Sequence, residues 1–336
     1  MRNYFPSLFK NDEAKILIGN SIEKDVLAHA YIIEGPDGSG KTLFSYLIAA
    51  ALSCDNKHSP SRPLPCMECK TCKKILSKNY PDVYFLDRGE RASIPVEAIR
   101  EMKADMHLSA SESDFKVYII DDAHLMLAPA QNALLKVLEE PPRNVIILLL
   151  CSTQDTILPT IKSRTQTVRM SLLSSDELRQ YMLANCKSAL TLKSKSNDEF
   201  SSVIFYAKGS IGKAMQLLEP KESSYILRQR ECIDSIIKAV VEKASYSQFL
   251  SAFSLLSQKR NELSDQLELL LSAVRDLIVI KKAPDATLVY YYDRACAEEL
   301  SSHIGISPSL PSFLRFITVM PKRLNSSCAR FPSNSI

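Results

Sequence analysis

Apolar positions change their period partway along this chain. Up to about residue 170, short apolar runs alternate with stretches of helical period. Ala30–Glu34, Val83–Leu86, Lys116–Ile120 and Val145 to Leu150 have the length and flanks of strands. Between them, Phe44, Leu47, Ile48, Ala51 and Leu52 repeat with helical spacing, as do Val96, Ile99, Met102 and Met106 after Ile94-Pro95. Ala130, Ala133, Leu134, Val137 and Leu138 mark a third helix, stopped by Pro141-Pro142. Val145 to Leu150 is apolar throughout, which predicts burial on both faces and hence a parallel sheet flanked by helices.

Beyond residue 170 the strand signal fades. Ser174-Ser175-Asp176-Glu177 carries a capping signature, and Asp198 to Leu218 reads as two short helices joined at Lys208-Gly209-Ser210. From about residue 222, long helical patterns dominate, strongest at Ile233 to Val241 and Leu263 to Ile280. Pro284, Pro308, Pro311 and Pro321 punctuate the rest, and the polar tail from Asn325 to Ile336 is expected to fray. The pattern therefore predicts an α/β domain followed by all-helical structure.

Composition adds little to this picture. The 336 residues suffice for two or three domains, and a formal charge of +4 does not mark a nucleic-acid binder. The longest apolar run, Val145 to Cys151, is too short to span a membrane, and Met1 to Pro6 has no signal-peptide character. A cytoplasmic protein is expected. Of nine cysteines, those at 151, 186, 232, 296 and 328 are scattered and read as small core residues.

Candidate chemistry begins at Gly35-Pro-Asp-Gly-Ser-Gly-Lys-Thr42. Three of the chain's eight glycines, Gly35, Gly38 and Gly40, fall in this stretch, between a predicted strand and a predicted helix. That context makes it a phosphate-binding loop: backbone N–H groups and the helix N-terminus face phosphate oxygens, Lys41 reaches the terminal phosphates, and Thr42 ligates magnesium. At the end of the third strand, Asp121 is placed to hold that magnesium. Asp122 follows it as a weaker candidate for polarising the attacking water, one methylene shorter than glutamate. Cys54, Cys66, Cys69 and Cys72 are spaced C-x11-C-x2-C-x2-C, a donor set suited to a structural tetrahedral zinc ion. His58 is a substitute ligand in the connecting loop.

Gln131-Asn-Ala-Leu-Leu-Lys-Val-Leu-Glu-Glu-Pro-Pro142, Ile161-Lys162-Ser163-Arg164 with Thr165 after it, and His29-Ala30-Tyr31 resemble, in order, the motifs of bacterial DNA polymerase III clamp-loader subunits. The resemblance covers residues 29 to about 170. It implies an AAA+ P-loop domain over 1–170 with a zinc module inserted at about 54–72. A helical lid over 171–220 and a helical collar over 221–336 would follow, the collar joining five subunits in a ring. It further implies that Arg164 is an arginine finger aimed at a neighbour's ATP site and supported by Ser163. Thr153, rather than Ser152, would sense the γ-phosphate. The implied partners are gamma/tau and delta subunits, the sliding clamp and primed DNA, with no membrane.

Two positions depart from the ATPase members of that family. Asp122 stands where they have glutamate. In Gly209-Ser210-Ile211-Gly212-Lys213-Ala214, Gly212 stands where they have a nucleotide-touching arginine, and Lys213 points about 100° away on a helix. These departures resemble the delta-prime type of subunit, with weak or absent ATPase of its own within the polymerase holoenzyme. An active gamma/tau-type ATPase is the alternative. A P-loop small-molecule kinase and a zinc-organised DNA-binding adaptor are more distant rivals. Leu310 to Val319 has only a loose likeness to the family's last collar helix.

Overall fold

The computed structural model describes residues 2–195, 197–241, 245–257, 260–283, 288, 290–291 and 294–303. Pro284, Pro308, Pro311, Pro321, Cys328, the segment 310–319 and the tail from residue 325 lie outside the described residues.

The elements up to residue 178 alternate as the apolar pattern requires. In chain order they are α1 (Asp12–Glu23), β1 (Ala30–Glu34), α2 (Lys41–Leu52), α3 (Lys70–Leu76), β2 (Val83–Leu86), α4 (Val96–Met106) and β3 (Lys116–Ile120). A 3-10 turn at Ala123–Leu125 leads to α5 (Ala128–Glu139), β4 (Val145–Cys151), α6 (Pro159–Lys162) and β5 (Gln166–Arg169). The five strands form one parallel sheet in the order β2-β3-β4-β1-β5. Successive side chains of a strand point to opposite faces. Accordingly Tyr31 and Ile33 join Phe44, Leu47 and Ile48 of α2 in one core, while Ala30 and Ile32 join Ile99, Met102 and Leu134 of α4 and α5 in the other. Because every strand runs the same way, the carboxyl ends of β1, β3 and β4 lie side by side at one end of the sheet, where open α/β folds bind ligands.

The apolar pattern did not predict α3, β5 or α1. β5 is an edge strand with a single buried residue, Val168, so it has no apolar run. α1 buries only Ala14, Ile18, Gly19 and Ile22, a narrow stripe that its polar residues hide.

The helices continue with α7 (Ser175–Asn185), α8 (Lys187–Lys195), α9 (Asn197–Ala207), α10 (Ile211–Leu217), α11 (Pro220–Val241), α12 (Tyr246–Phe253), α13 (Arg260–Lys282) and α14 (Arg294–His303). The capping box at α7 is formed: the Ser174 N–H donates to Glu177 at 3.0 Å, and the Glu177 N–H donates to Ser174 Oγ at 3.3 Å. By packing, the described residues up to 178 with 208–212 form one unit; those of 179–207 with the described residues from 213 onward form another. In the second unit, Ile233, Ile236 and Ile237 of α11 pack with Leu269, Ala273 and Leu277 of α13. Buried Asp276 accepts the N–H groups of Tyr290 and Tyr291 at 2.6 and 3.2 Å. Cys151 and Cys232 are buried as expected, but Cys186 is half-buried and Cys296 is exposed. Among the described residues, no helix is long and apolar enough to cross a membrane.

Candidate functional site

The phosphate-loop residues lie between the end of β1 and the start of α2. The Gly35 N–H donates to the Cys151 carbonyl at 3.0 Å, which ties the loop to the end of β4. Gly38 and Gly40 have φ of 82° and 92°, left-handed values that a Cβ would oppose. At Gly38 a Cβ would also meet Ser210 Oγ at 2.3 Å. Lys41 is buried, and its Nζ donates to the carbonyls of Gly35 and Pro36 at 2.7 and 3.1 Å. Ser39 Oγ is buried without a partner among the described residues, an orphaned donor inside the loop. Thr42 is half-buried in the first turn of α2. A left-handed glycine turn, a buried lysine and an orphaned hydroxyl fit a phosphate group.

Asp121 directly follows β3 and accepts the Asp122 N–H at 3.0 Å. Burial pushes its carboxyl above the ordinary carboxylate value, the charge of Asp122 adds to this, and Lys41 opposes it. Asp122 turns elsewhere. Its backbone is left-handed, at φ 50° and ψ 37°, and its carboxylate accepts from Arg88 Nε at 3.1 Å. Thr153 Oγ donates to Asp155 at 2.8 Å, while Ser152 Oγ lies 3.0 Å from His124 Nε2 in the turn after Asp122. Gly209 has φ 85°, and its carbonyl accepts the Leu173 N–H at 3.2 Å. An added Cβ at Gly212 would meet nothing within 4 Å, so no close packing calls for glycine there.

Arg164 follows α6 and is about one-third exposed. Its Nη1 donates to the Thr160 carbonyl at 3.0 Å and to Ser163 Oγ at 3.3 Å, and its Nη2 lies 2.9 Å from Glu139 Oε1. Gln131 is named in the sequence analysis only as the first residue of a motif, without a role, yet it organises this region. It is 3% exposed. Its Nε2 donates to the carbonyls of Met126 and Thr156, both at 2.9 Å, and its Oε1 accepts the Leu158 N–H at 2.8 Å. One side chain thus joins the turn after Asp122 to the start of α6. The available signal was its helical spacing to Leu134 and Leu138, a polar residue on an apolar face.

The four cysteines converge. All four Sγ atoms of Cys54, Cys66, Cys69 and Cys72 lie within 4.8 Å of one another, and Cys66 and Cys72 are 4.0 Å apart. Thiolates about 2.3 Å from a tetrahedral zinc ion are about 3.8 Å apart, so the donor set fits that ion. The N–H groups of Cys69 and Cys72 donate to Cys66 Sγ and Cys69 Sγ, each at 3.4 Å. A side-chain hydrogen bond from Cys72 lowers the Cys54 thiol well below its ordinary value, and the same contact with burial pushes Cys72 up. His58 is exposed and is not part of the cluster.

Comparison with known proteins agrees with these motifs. A family model described as DNA polymerase III, delta subunit, matches residues 10–174. DNA polymerase III subunit delta' of Bacillus subtilis is 38% identical over 152 residues, 45% of each chain. DNA polymerase III subunit gamma of Buchnera aphidicola is 33% identical over 218 residues, 64% of this chain and 58% of that one. Over residues 10–174 the chain matches the bacterial clamp-loader AAA+ family. It spans about half the length of the curated relatives it matches. Among solved structures, a DNA polymerase III gamma subunit-related protein of Thermotoga maritima superimposes with a TM-score of 0.40 at 18% identity, over 90% of this chain and 97% of that one. Within the clamp-loader family match, which runs from residue 10 to 174, lie the phosphate loop, the cysteine cluster and Arg164.

Proposed function

We propose that this chain is a delta-prime-type subunit of the DNA polymerase III clamp loader. It completes a ring with gamma/tau and delta subunits and lends Arg164 to a neighbour's ATP site while the sliding clamp is placed on primed DNA. The observation that carries this reading is the cradle of Arg164. Three acceptors on α5 and α6 hold the guanidinium at the surface of its unit, where it can stabilise charge on a phosphoryl group transferred next door. The state of the chain's own site supports it, since Asp122 is engaged by Arg88 and Gly212 offers no cation.

Gly35, Gly38, Gly40, Lys41 and Thr42 would hold a nucleotide, with Asp121 toward its magnesium and Thr153 toward the terminal phosphate. Bound magnesium supplies charge neutralisation for the phosphates. Cys54, Cys66, Cys69 and Cys72 would hold zinc as a structural ion, since four protein ligands leave no position for water.

The test is single-turnover ATP hydrolysis by the reconstituted complex carrying Arg164→Ala. A loss of about 10³-fold at one site is expected, and unchanged turnover at every site removes the role in trans. The intact phosphate loop favours a second reading, a gamma/tau-type ATPase. That reading requires the purified chain to hydrolyse ATP at a rate that added partners leave unchanged.

A further inference from the structure

We propose that the cysteine module anchors residues 2–8 as a strap over the helix that carries the phosphate loop, which makes Arg2 and Leu8 positioning residues for nucleotide binding. The inference rests on Gly35–Thr42 being a nucleotide site, and it names what holds that site in shape.

α2 links the two features directly. Its 12 residues span about 18 Å. The phosphate loop lies at its start, Cys54 follows two residues past its end, and Cys72 Sγ sits 3.7 Å from the Ala50 carbonyl in its last turn. A second link runs back through the N-terminal segment. Arg2 has a side chain only 6% exposed. Its Nε donates to the Arg62 carbonyl at 2.9 Å, its Nη1 to the Lys57 carbonyl at 2.9 Å and to Glu23 at 3.0 Å, and its Nη2 to the Asn56 carbonyl at 3.4 Å. Those three carbonyls all belong to the loop between Cys54 and Cys66. The same loop pairs with the strap again: the Leu64 N–H donates to the Asn3 carbonyl at 3.0 Å, and the Phe5 N–H donates to the Leu64 carbonyl at 2.7 Å.

From there the strap crosses α2. Phe5 is fully buried and meets Phe44 edge-on, with ring centroids 5.1 Å apart. Leu8 is buried, and its Cδ1 lies 3.4 Å from where a Cβ on Gly40 would stand. Phe44 and Gly40 flank Lys41 and Thr42, so whatever fixes Phe5 and Leu8 restrains the end of α2 that faces the phosphates.

The metal enters through loop closure. Joining Cys54 to Cys66 restrains the eleven residues between them, and closing such a loop removes conformational freedom that would otherwise oppose its folded shape. With the loop released, Arg2 loses three of its four acceptors. A buried guanidinium cannot stay in place without partners, unlike a surface ion pair.

The experiment compares amide hydrogen exchange and binding of a fluorescent ATP analogue in the full chain loaded with zinc, the chain stripped by chelation, and Arg2→Ala. Stripping is expected to speed exchange across residues 3–9 about tenfold or more and to weaken nucleotide binding about fivefold, with the amides of β3 and β4 still protected. Arg2→Ala is expected to reproduce both changes while retaining one zinc per chain. Protection of residues 3–9 that survives both treatments overturns the strap. So does Arg2→Ala exchange like that of the parent chain, even if the stripped protein unfolds. A parent chain that binds no nucleotide refutes the nucleotide site itself, and the exchange data then decide on the strap alone.

Discussion

At the end of β3 the carboxylate of Asp122 is taken up by Arg88 at 3.1 Å; at the end of α6 the guanidinium of Arg164 is held at three points, and its Nε has no partner among the described residues. The two regions lie in the same folding unit and carry charged groups of the kind that drive phosphoryl transfer. They differ in what is left to offer. Asp122 has a partner that competes for its carboxylate, and its backbone sits in the left-handed region, which few non-glycine residues adopt. Arg164 is oriented by two neutral acceptors and one carboxylate, with donor capacity remaining. On the proposed reading, a site that keeps its phosphate loop while its second acid is diverted holds a nucleotide more than it hydrolyses it. On the same reading, Arg164, fixed at the surface, serves a site outside its own unit.

The largest expected effect pits these regions against each other in the assembled complex. Arg164→Ala is expected to cost about 10³-fold at the neighbouring site. Lys41→Ala should weaken this chain's own nucleotide binding by at least about tenfold, since its ammonium is the loop's buried cation, yet leave turnover at the neighbouring site within about threefold. Filter binding on the isolated chain and single-turnover kinetics on the complex give the two readouts. If Lys41→Ala costs the complex more turnover than Arg164→Ala, the comparison is reversed and the gamma/tau-type reading gains.

Gln131 is where the two regions are joined, so breaking it should affect stability first. Gln131→Leu leaves the Met126 and Thr156 carbonyls and the Leu158 N–H without their partner. Each orphaned buried group costs about 1–3 kcal/mol, and water entering the gap recovers part of this, so a loss of about 2–4 kcal/mol in urea denaturation is expected. A loss below about 1 kcal/mol would mean that the turn and α6 are held by other contacts.

What the sequence showed and what it hid follow from the same physics. The phosphate loop, the cysteine spacing and the helix of Ala130 to Leu138 were legible because glycine content, ligand spacing and helical period act locally. Strands β1 to β4 were legible because each is apolar over most of its length. β5 was not, since an edge strand with only Val168 buried needs no apolar run. The diversion of Asp122 was hidden too: Arg88 lies 34 residues earlier, and only the register of β2 beside β3 brings them together. Thr153 was chosen over Ser152 by motif position. The fold turns Thr153 to Asp155 and Ser152 to His124, a distinction of side-chain direction that no spacing encodes.

A smaller effect tests whether Asp121 is held for a cation. A carboxyl whose folded value lies above its unfolded value binds its proton more tightly in the folded chain, so ionising it costs stability. That cost is absent below the ordinary value of 3.8 and appears as pH rises through the raised one. In the nucleotide-free chain without divalent cation, Asp121→Asn should therefore raise stability at pH 7, by on the order of 1 kcal/mol. The gain should fade as pH falls toward 3.8. Denaturant midpoints at both pH values check this, and a loss of stability at pH 7 would show that the carboxylate is a structural partner instead.

The smallest effect concerns Glu139, the only charged group in the cradle of Arg164 among the described residues. The pair is half-exposed, with side chains 35% and 50% accessible, so its contribution to stability is expected to stay below about 1 kcal/mol. Its effect on chemistry has a different sign. Glu139→Gln keeps an acceptor near Nη2, and Thr160 and Ser163 still orient Nη1, but the carboxylate no longer offsets the guanidinium's charge. Turnover at the neighbouring site should rise by up to about threefold at low salt, with the difference shrinking as salt screens both groups. Glu139→Ala also removes the third point of attachment and should turn that rise into a fall. A drop of about tenfold or more with glutamine would show that the negative charge itself is what holds Arg164 in position, and the arm would then be no freer to act than Asp122.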